Sequence, residues 1–277
     1  PKTPKPLGVE SILDVLLIQK IAQLQGLFVP SGSTISAIAY TIATGRTLQG
    51  ARGPIDTHRF ALPHIVKNGA VIWCPDQEDY SHRHLLTPEE VWHVLGAFSI
   101  HELTPFIFTL EDGGRHAVYH GPIKNSTEKK LAQLFEEERS LPLEPLSAMP
   151  DTAHVINVSA MGPELAIRKI MDSVQDEPHL VAYSGTAIEA KNLCWMDIHH
   201  SQGSKGNAIT TLRNELGFEN IVAFGDGEND LSMFEVADEA YAPSNADDDI
   251  KTIASDIIGH HDDDGVARFL RQRFQLQ

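Results

Sequence analysis

Asp226 and Asp230 stand four residues apart in Gly225-Asp226-Gly227-Glu228-Asn229-Asp230, a string that follows directly on the apolar run Ile221-Val222-Ala223-Phe224. Hard carboxylate oxygens at a strand end suit Mg²⁺, which keeps several waters and takes only one or two protein carboxylates. Lys205, in Ser204-Lys205-Gly206-Asn207, offers a flexible ammonium able to reach an anion and to keep a nearby carboxylate ionised. Thr44 brings a hydroxyl and Gly45 an unhindered backbone N–H, both fit to grip a phosphoryl oxygen. Together these residue types meet the demands of phosphoryl transfer, which needs charge neutralised on the equatorial oxygens, a metal bridging the phosphate and an aligned nucleophile. Singly, each has a plainer explanation: a helix cap for the aspartates, a surface position for the lysine, an ordinary turn for Thr44-Gly45.

The elements that must position these groups are legible on either side of them. Ile35 to Ala43 is mostly apolar and empties into Thr44-Gly45-Arg46, as Ile221 to Phe224 empties into the acidic loop; both read as buried strands ending in small polar loops. From Asn207 to Leu216, Ala208, Ile209, Leu212 and Leu216 share one helical face, and Gly217 ends the helix. Helix followed by strand implies a parallel crossover, and ligands of open α/β sheets sit at the carboxyl ends of the strands. The middle of the chain differs. Thr87-Pro88-Glu89-Glu90 is a capping box that predicts a helix through Val91, Val94 and Leu95. Segments 105–110, 115–119, 154–159, 180–184 and 193–198 read as short strands, with helices near 127–138 and 163–174 and a tight turn at Asp112-Gly113-Gly114. The expected fold class is α/β: a parallel-sheet core from residues 1–74 and 199–277 with an α+β module, 75–198, inserted into it.

Composition sets the outer bounds. With 277 residues, 42% of them apolar and 22% charged, the chain is expected to form a soluble core plus a second module. Cys74 and Cys194 form no CxxC pair, so a reducing cytoplasm is expected. Neither a membrane-spanning stretch nor a signal-peptide core at Pro1 to Pro6 is read. A formal charge of −16 argues against nucleic acid as a partner. Between Asp226 and Asp264 thirteen acids face one base, Lys251, which is mostly a solvated acidic face. Adjacent histidines point in different directions, so His199-His200 and His260-His261 are expected to be surface or supporting residues and no metal cluster is assigned to them. Cys194-Trp195-Met196 fits a strand buried on one side.

The order Ile42-Ala43-Thr44-Gly45-Arg46, Ser204-Lys205-Gly206-Asn207-Ala208, then Gly225-Asp226-Gly227-Glu228-Asn229-Asp230 resembles the Cof-type branch (subfamily IIB) of the haloacid dehalogenase (HAD) superfamily. The resemblance runs from about residue 35 to the C-terminus. Within it Lys67-Asn68-Gly69-Ala70 is similar to the family's entry into its cap, and Ser244-Asn245-Ala246 to its asparagine after the acidic loop. It implies a Rossmann-like core with a substrate-selecting α+β cap, and a Mg²⁺-dependent phosphohydrolase acting on a small phosphorylated metabolite such as a sugar phosphate. Thr44 would bind the transferring phosphoryl group, Lys205 would secure nucleophile and phosphate, and Asp226 and Asp230 would organise Mg²⁺. Gly45, Arg46, Asn68, Asn229 and Asn245 would line the substrate. The chain departs from the family at its start. Members open with Asp-x-Asp-Gly-Thr, whose first aspartate attacks phosphorus and whose second protonates the leaving group, and no such string is present. The nearest counterpart by spacing is Ser11-Ile12-Leu13-Asp14-Val15-Leu16, in which Asp14 is either the acid, with Ile12 in the nucleophile's place, or the nucleophile, with Leu16 in the acid's place. One carboxylate is lost in both alignments. Val29-Pro30-Ser31-Gly32-Ser33-Thr34 is read as a loop. Two functions stay open here: a phosphatase using Asp14, and a catalytically impaired relative that binds a phosphorylated ligand or a partner protein.

Overall fold

The computed structural model describes residues 14–19, 38–58, 60–111, 114–138, 141–186 and 193–274. The side chains of Asp14 and its strand, Ile12, the 29–34 loop and the Asp112-Gly113 part of the expected turn lie outside what is described. In chain order the first strands are β1 (Asp14–Gln19), β2 (Ile38–Ala43), β3 (His64–Val66), β4 (Val71–Cys74) and β5 (Asp79–Arg83), with α1 (Leu48–His58) after β2. Then come α2 (Pro88–Ile100), β6 (Phe106–Leu110), β7 (His116–His120), α3 (Ser126–Gln133), β8 (Leu143–Pro145), β9 (His154–Pro163), α4 (Glu164–Val174), β10 (Leu180–Thr186) and β11 (Leu193–His200). The chain closes with α5 (Lys205–Leu216), β12 (Asn220–Phe224), α6 (Leu231–Val236), β13 (Glu239–Pro243), α7 (Asp248–Ile253), β14 (Asp256–Ile258) and α8 (Gly265–Phe274).

Two sheets result. The first has the order β14-β13-β12-β1-β2-β3-β4-β5 and the second β10-β11-β9-β6-β7-β8. In the first, β12, β13 and β14 are mutually parallel, as are β2 and β3. β2 and β12 flank β1, which runs antiparallel to both, and so they point the same way. Thr44 and Gly225 therefore leave the sheet at one edge. The expectation of parallel strands holds for these pairs, and β1 departs from it. Its register sets the Asp14 backbone opposite Ala43, so Asp14 reaches the Thr44 edge as the first residue of a strand rather than as its last. An apolar run carries no signal of direction, because antiparallel ladders saturate backbone donors and acceptors as fully as parallel ones do.

The strand periodicity explains the layering. Ile221 and Ala223 pack with Ala208, Ile209 and Leu212 of α5 and Met233 and Phe234 of α6, whereas Val222 and Phe224 pack with Val266, Phe269 and Leu270 of α8. Successive side chains alternate between faces, and with helices on both faces the strand must be apolar throughout. The 74/75 division expected from the sequence falls between β4 and β5, which the hairpin pairing joins, so the first sheet continues to Arg83. In the second sheet Ile107, Val158, Ala160, Met196 and Ile198 face α2 and α4. The capping box forms as expected, with Glu90 N–H donating to Thr87 Oγ1 at 3.2 Å and Thr87 N–H donating to the Glu90 carboxylate at 2.8 Å.

Candidate active site

Lys205 is the first residue of α5, whose N-terminus is capped by the Ser204 hydroxyl accepting from Asn207 N–H at 3.1 Å. The packing around it leaves the ammonium no solvent: Lys205 is 0% and Asp230 1% exposed, and Nζ lies 2.6 Å from Asp230 Oδ1. The other carboxylate oxygen of Asp230 accepts from the backbone N–H of Asp226 at 2.9 Å and of Gly227 at 3.1 Å. Asp230 thus ties the strand-end loop into a closed turn and pins the lysine to it. Glycine is required twice in this turn region. A Cβ on Gly225 would fall 2.6 Å from the Asp230 carboxyl carbon, and one on Gly206 would fall 2.1 Å from the Ser232 carbonyl oxygen.

Both oxygens of Asp230 are engaged, so Asp226 is the half-buried acid with capacity to spare. Its carboxyl is pushed above the ordinary aspartate value, first by burial and then by Asp230, with Lys205 and His261 pulling the other way and Asp247 adding to the rise. Glu228 is raised by burial too. Acids gathered this way repel one another, and a divalent cation would relieve it.

The second loop meets the first through an asparagine. Thr44 is 4% exposed; its N–H donates to Ile65 O at 2.9 Å and its Oγ1 accepts from Arg46 N–H at 3.2 Å. Asn68 N–H donates to Thr44 O at 2.9 Å, and Asn68 Oδ1 accepts from Asn229 Nδ2 at 2.9 Å. Lys67 and Asn68 adopt left-handed φ values of 49° and 57°, ahead of Gly69 at 94°. A Cβ on Gly69 would sit 2.2 Å from Ser204 O, so this turn packs directly against the start of α5. A Cβ on Gly45 would meet Asn68 Oδ1 at 2.9 Å.

A family model described as haloacid dehalogenase-like hydrolase matches residues 35–270. The chain belongs to that family. Among curated relatives, the pyridoxal phosphate phosphatase YbhA of Escherichia coli (strain K12) is 42% identical over 77 residues, 27% of this chain and 28% of the relative. The chain thus matches less than a third of that relative's length. The fold extends further than the sequence identity. A haloacid dehalogenase-like hydrolase from B. subtilis superposes with a TM-score of 0.68 over 83% of this chain and 86% of the other at 20% identity. A subclass IIB sugar phosphatase of the same superfamily does so at 0.65 over 86% and 85%, at 22% identity.

On this haloacid dehalogenase-like scaffold the residues singled out in the sequence occupy distinct places. Thr44, Gly45, Asn68 and Asn229 meet where the two loops touch, and Lys205, Asp226 and Asp230 form the adjacent charged group. Arg46 is half-buried next to Thr44, and burial lowers its pKa. Asn245 Oδ1 accepts from His261 N–H at 3.1 Å, and His261 is among the groups that act on the Asp226 carboxyl. His260, His261 and Asp262 nonetheless each bring one ligand atom within 4.8 Å of the others, which spacing alone did not anticipate. His199 is buried, and His200 stacks between His84 and His179 with ring centroids 6.2 and 5.9 Å away. Among the described residues no helix is long and apolar enough to cross a membrane.

The second sheet supplies residues the sequence reading missed. Ser184 N–H reaches Glu228 Oε2 at 3.5 Å. The neighbouring Tyr183 phenol is pushed up by burial and feels Lys205, Glu228, Ser232 and Asp230. No motif marks Tyr183; only the register of β10 on β11 brings it over the acidic loop.

Proposed function

We propose that this chain is a Mg²⁺-dependent phosphohydrolase acting on a small phosphorylated metabolite, a sugar phosphate by preference, with the first sheet as catalytic core and the second as its substrate-selecting cap. The observation that carries the reading is the fully buried Lys205–Asp230 contact at 2.6 Å beside the half-buried Asp226. A buried lysine held by one carboxylate, next to a second carboxylate with spare oxygens, is arranged to meet an anion and a cation together. Asp226 would ligate Mg²⁺, and Asp230 would orient both Asp226's loop and Lys205. When bound, the ion would neutralise charge on the phosphoryl oxygens. Thr44 and Gly45 N–H would hold those oxygens, and Lys205 would add its positive charge. The Asp14 backbone opposite Ala43 supports Asp14 as the attacking carboxylate. The relatives' descriptions as pyridoxal phosphate phosphatase and sugar phosphatase support the substrate class. Free thiols at Cys74 and Cys194 are compatible with the cytoplasm.

A second reading has its own observation. β1 runs against its neighbours and holds one acid, Asp14, in Asp-Val-Leu-Leu-Ile-Gln, so a protein that binds a phosphorylated ligand without turning it over is the alternative. Phosphate release from a panel of phosphorylated metabolites, with Mg²⁺ or EDTA, separates the two. Metal-dependent release lost in Asp14→Asn and Asp226→Asn supports the phosphohydrolase. Binding without release supports the alternative, and release unaffected by Asp226→Asn rejects the site.

A further inference from the structure

The face of the second sheet turned away from α2 and α4 carries a polar cluster that phosphate chemistry does not use. Residues paired across neighbouring strands share a face. One row reads Tyr183, Asp197, Ser159, Phe106, and the next Val181, His199, Asn157, Phe108. This face meets the first sheet at two points: Tyr183 at the acidic loop, where the next residue's backbone N–H reaches Glu228, and Lys67, whose Nζ lies 3.8 Å from the centre of the Phe108 ring. Asp197 lies between them. One of its oxygens accepts from the Ser159 hydroxyl and, at 3.3 Å, from Asn157 Nδ2, which also donates to Ser159 Oγ at 2.9 Å. Ser159 and Asn157 are 6% and 1% exposed, while Asp197 itself is half-buried. Asn157 Oδ1 and His199 Nε2 are buried with no hydrogen-bond partner among the described residues. A carboxylate fixed by two buried donors is a preorganised acceptor, and unpartnered polar atoms beside it are costly unless a ligand or water satisfies them.

We propose that Asp197, held in place by Ser159 and Asn157, is the specificity-determining acceptor for the alcohol part of the substrate, and that this part is a polyhydroxylated chain or ring donating neutral hydroxyls. The assignment rests on the phosphohydrolase reading for the location of the phosphate. A cationic amine is disfavoured, because the Lys67 ammonium already stands over the adjoining row. Selectivity then comes from hydroxyls, since an analogue lacking them leaves the buried polar groups unsatisfied.

The test compares the full chain's affinity for D-glucitol 6-phosphate and n-hexyl phosphate, two monoesters with six-carbon chains that differ in their free hydroxyls. Affinity is measured by calorimetry in EDTA, and phosphate release is measured separately with Mg²⁺. The expected preference for the glucitol ester is about tenfold or more. It should nearly vanish in Asp197→Ala and weaken in Asp197→Asn, which keeps an oxygen and loses the charge. Thermal unfolding identifies which variants are folded, and if Asp197→Ala is not, Asp197→Asn decides. Equal affinities in the parent, or an undiminished preference in a folded Asp197 variant, overturn the assignment. A preference without phosphate release leaves it standing and removes the hydrolase reading; release from both esters with no preference does the reverse.

Discussion

The Lys205 ammonium has no exposed surface and is paired with a carboxylate that is itself 1% exposed. Breaking such a pair from one side leaves an uncompensated buried charge, which costs about 3–5 kcal/mol. Lys205→Met and Asp230→Asn should each lose roughly that much in urea unfolding, and the double variant should recover part of it; single losses under ~1 kcal/mol would contradict the buried pairing. Asp226 behaves in the opposite sense. Its pKa is raised above 3.8 in the fold, so its contribution to stability is present below the unfolded value and is lost as pH rises through the folded one. In EDTA, Asp226→Asn should therefore gain stability relative to the parent between pH ~4 and ~7. Addition of Mg²⁺ should stabilise only the parent. Equal stability of the two metal-free proteins across that range would show that the carboxylate is not strained by its neighbours.

At the scale of elements, α5 delivers Lys205 by approaching α6 more closely than any side chain permits. Gly206→Ala should separate the two helices, cost about 1–3 kcal/mol and cut phosphate release by ~10²-fold, as an ångström of misplacement does. In Gly96→Ala, within α2, the added Cβ meets nothing within 4 Å, and the exchange should stabilise by roughly 0.5–1 kcal/mol. Comparable unfolding curves for the two would refute the packing argument. These elements were legible in the sequence because their signals are local. A capping box, an apolar run ending at Gly225 and a helix stopped by Gly217 each need only a few neighbouring residues. Three features were not legible. The direction of β1 depends on which edge its backbone meets, the pairing of β5 with β4 on a hairpin register, and the place of Tyr183 on β10 against β11, all of them long-range facts that hydrophobic period does not encode. The same distinction runs through the site. Thr44, Asp226 and Asp230 announce themselves by strand-end loops and Lys205 by its place at a helix start, whereas the contact of Asn245 Oδ1 with the His261 N–H joins positions 16 residues apart and carries no local signal.

The whole molecule carries a set of histidines buried in the neutral state, and acid should expose them as a group. His64, His116 and His199 are each 3% exposed or less, and burial is the leading cause that lowers each pKa to about 4. Lys67 reinforces the shift at His116 and His199, while Asp197 opposes it at His199. His116 Nδ1 and His199 Nε2 have no partner among the described residues, so a proton placed there finds no acceptor. The sign follows from the unfolded value of 6.5. Above it both states are neutral and the full stability is present; as pH falls toward 4 the unfolded chain takes up protons that the fold refuses. Each histidine then contributes a slope of about 1.4 kcal/mol per pH unit, so the three together give ~4 near pH 5. Because they sit in both sheets, at β3, β7 and β11, the loss should be seen as one cooperative destabilisation rather than as fraying of one part. Urea midpoints measured at constant ionic strength from pH 7.5 to 5 should fall steeply below about 6.5, and His64→Phe should flatten the curve by about a third. A midpoint unchanged over that interval would mean that these rings take up protons as readily in the folded protein as in the unfolded chain, and with that the packing of the Lys67, His199 and Asp197 region would have to be different.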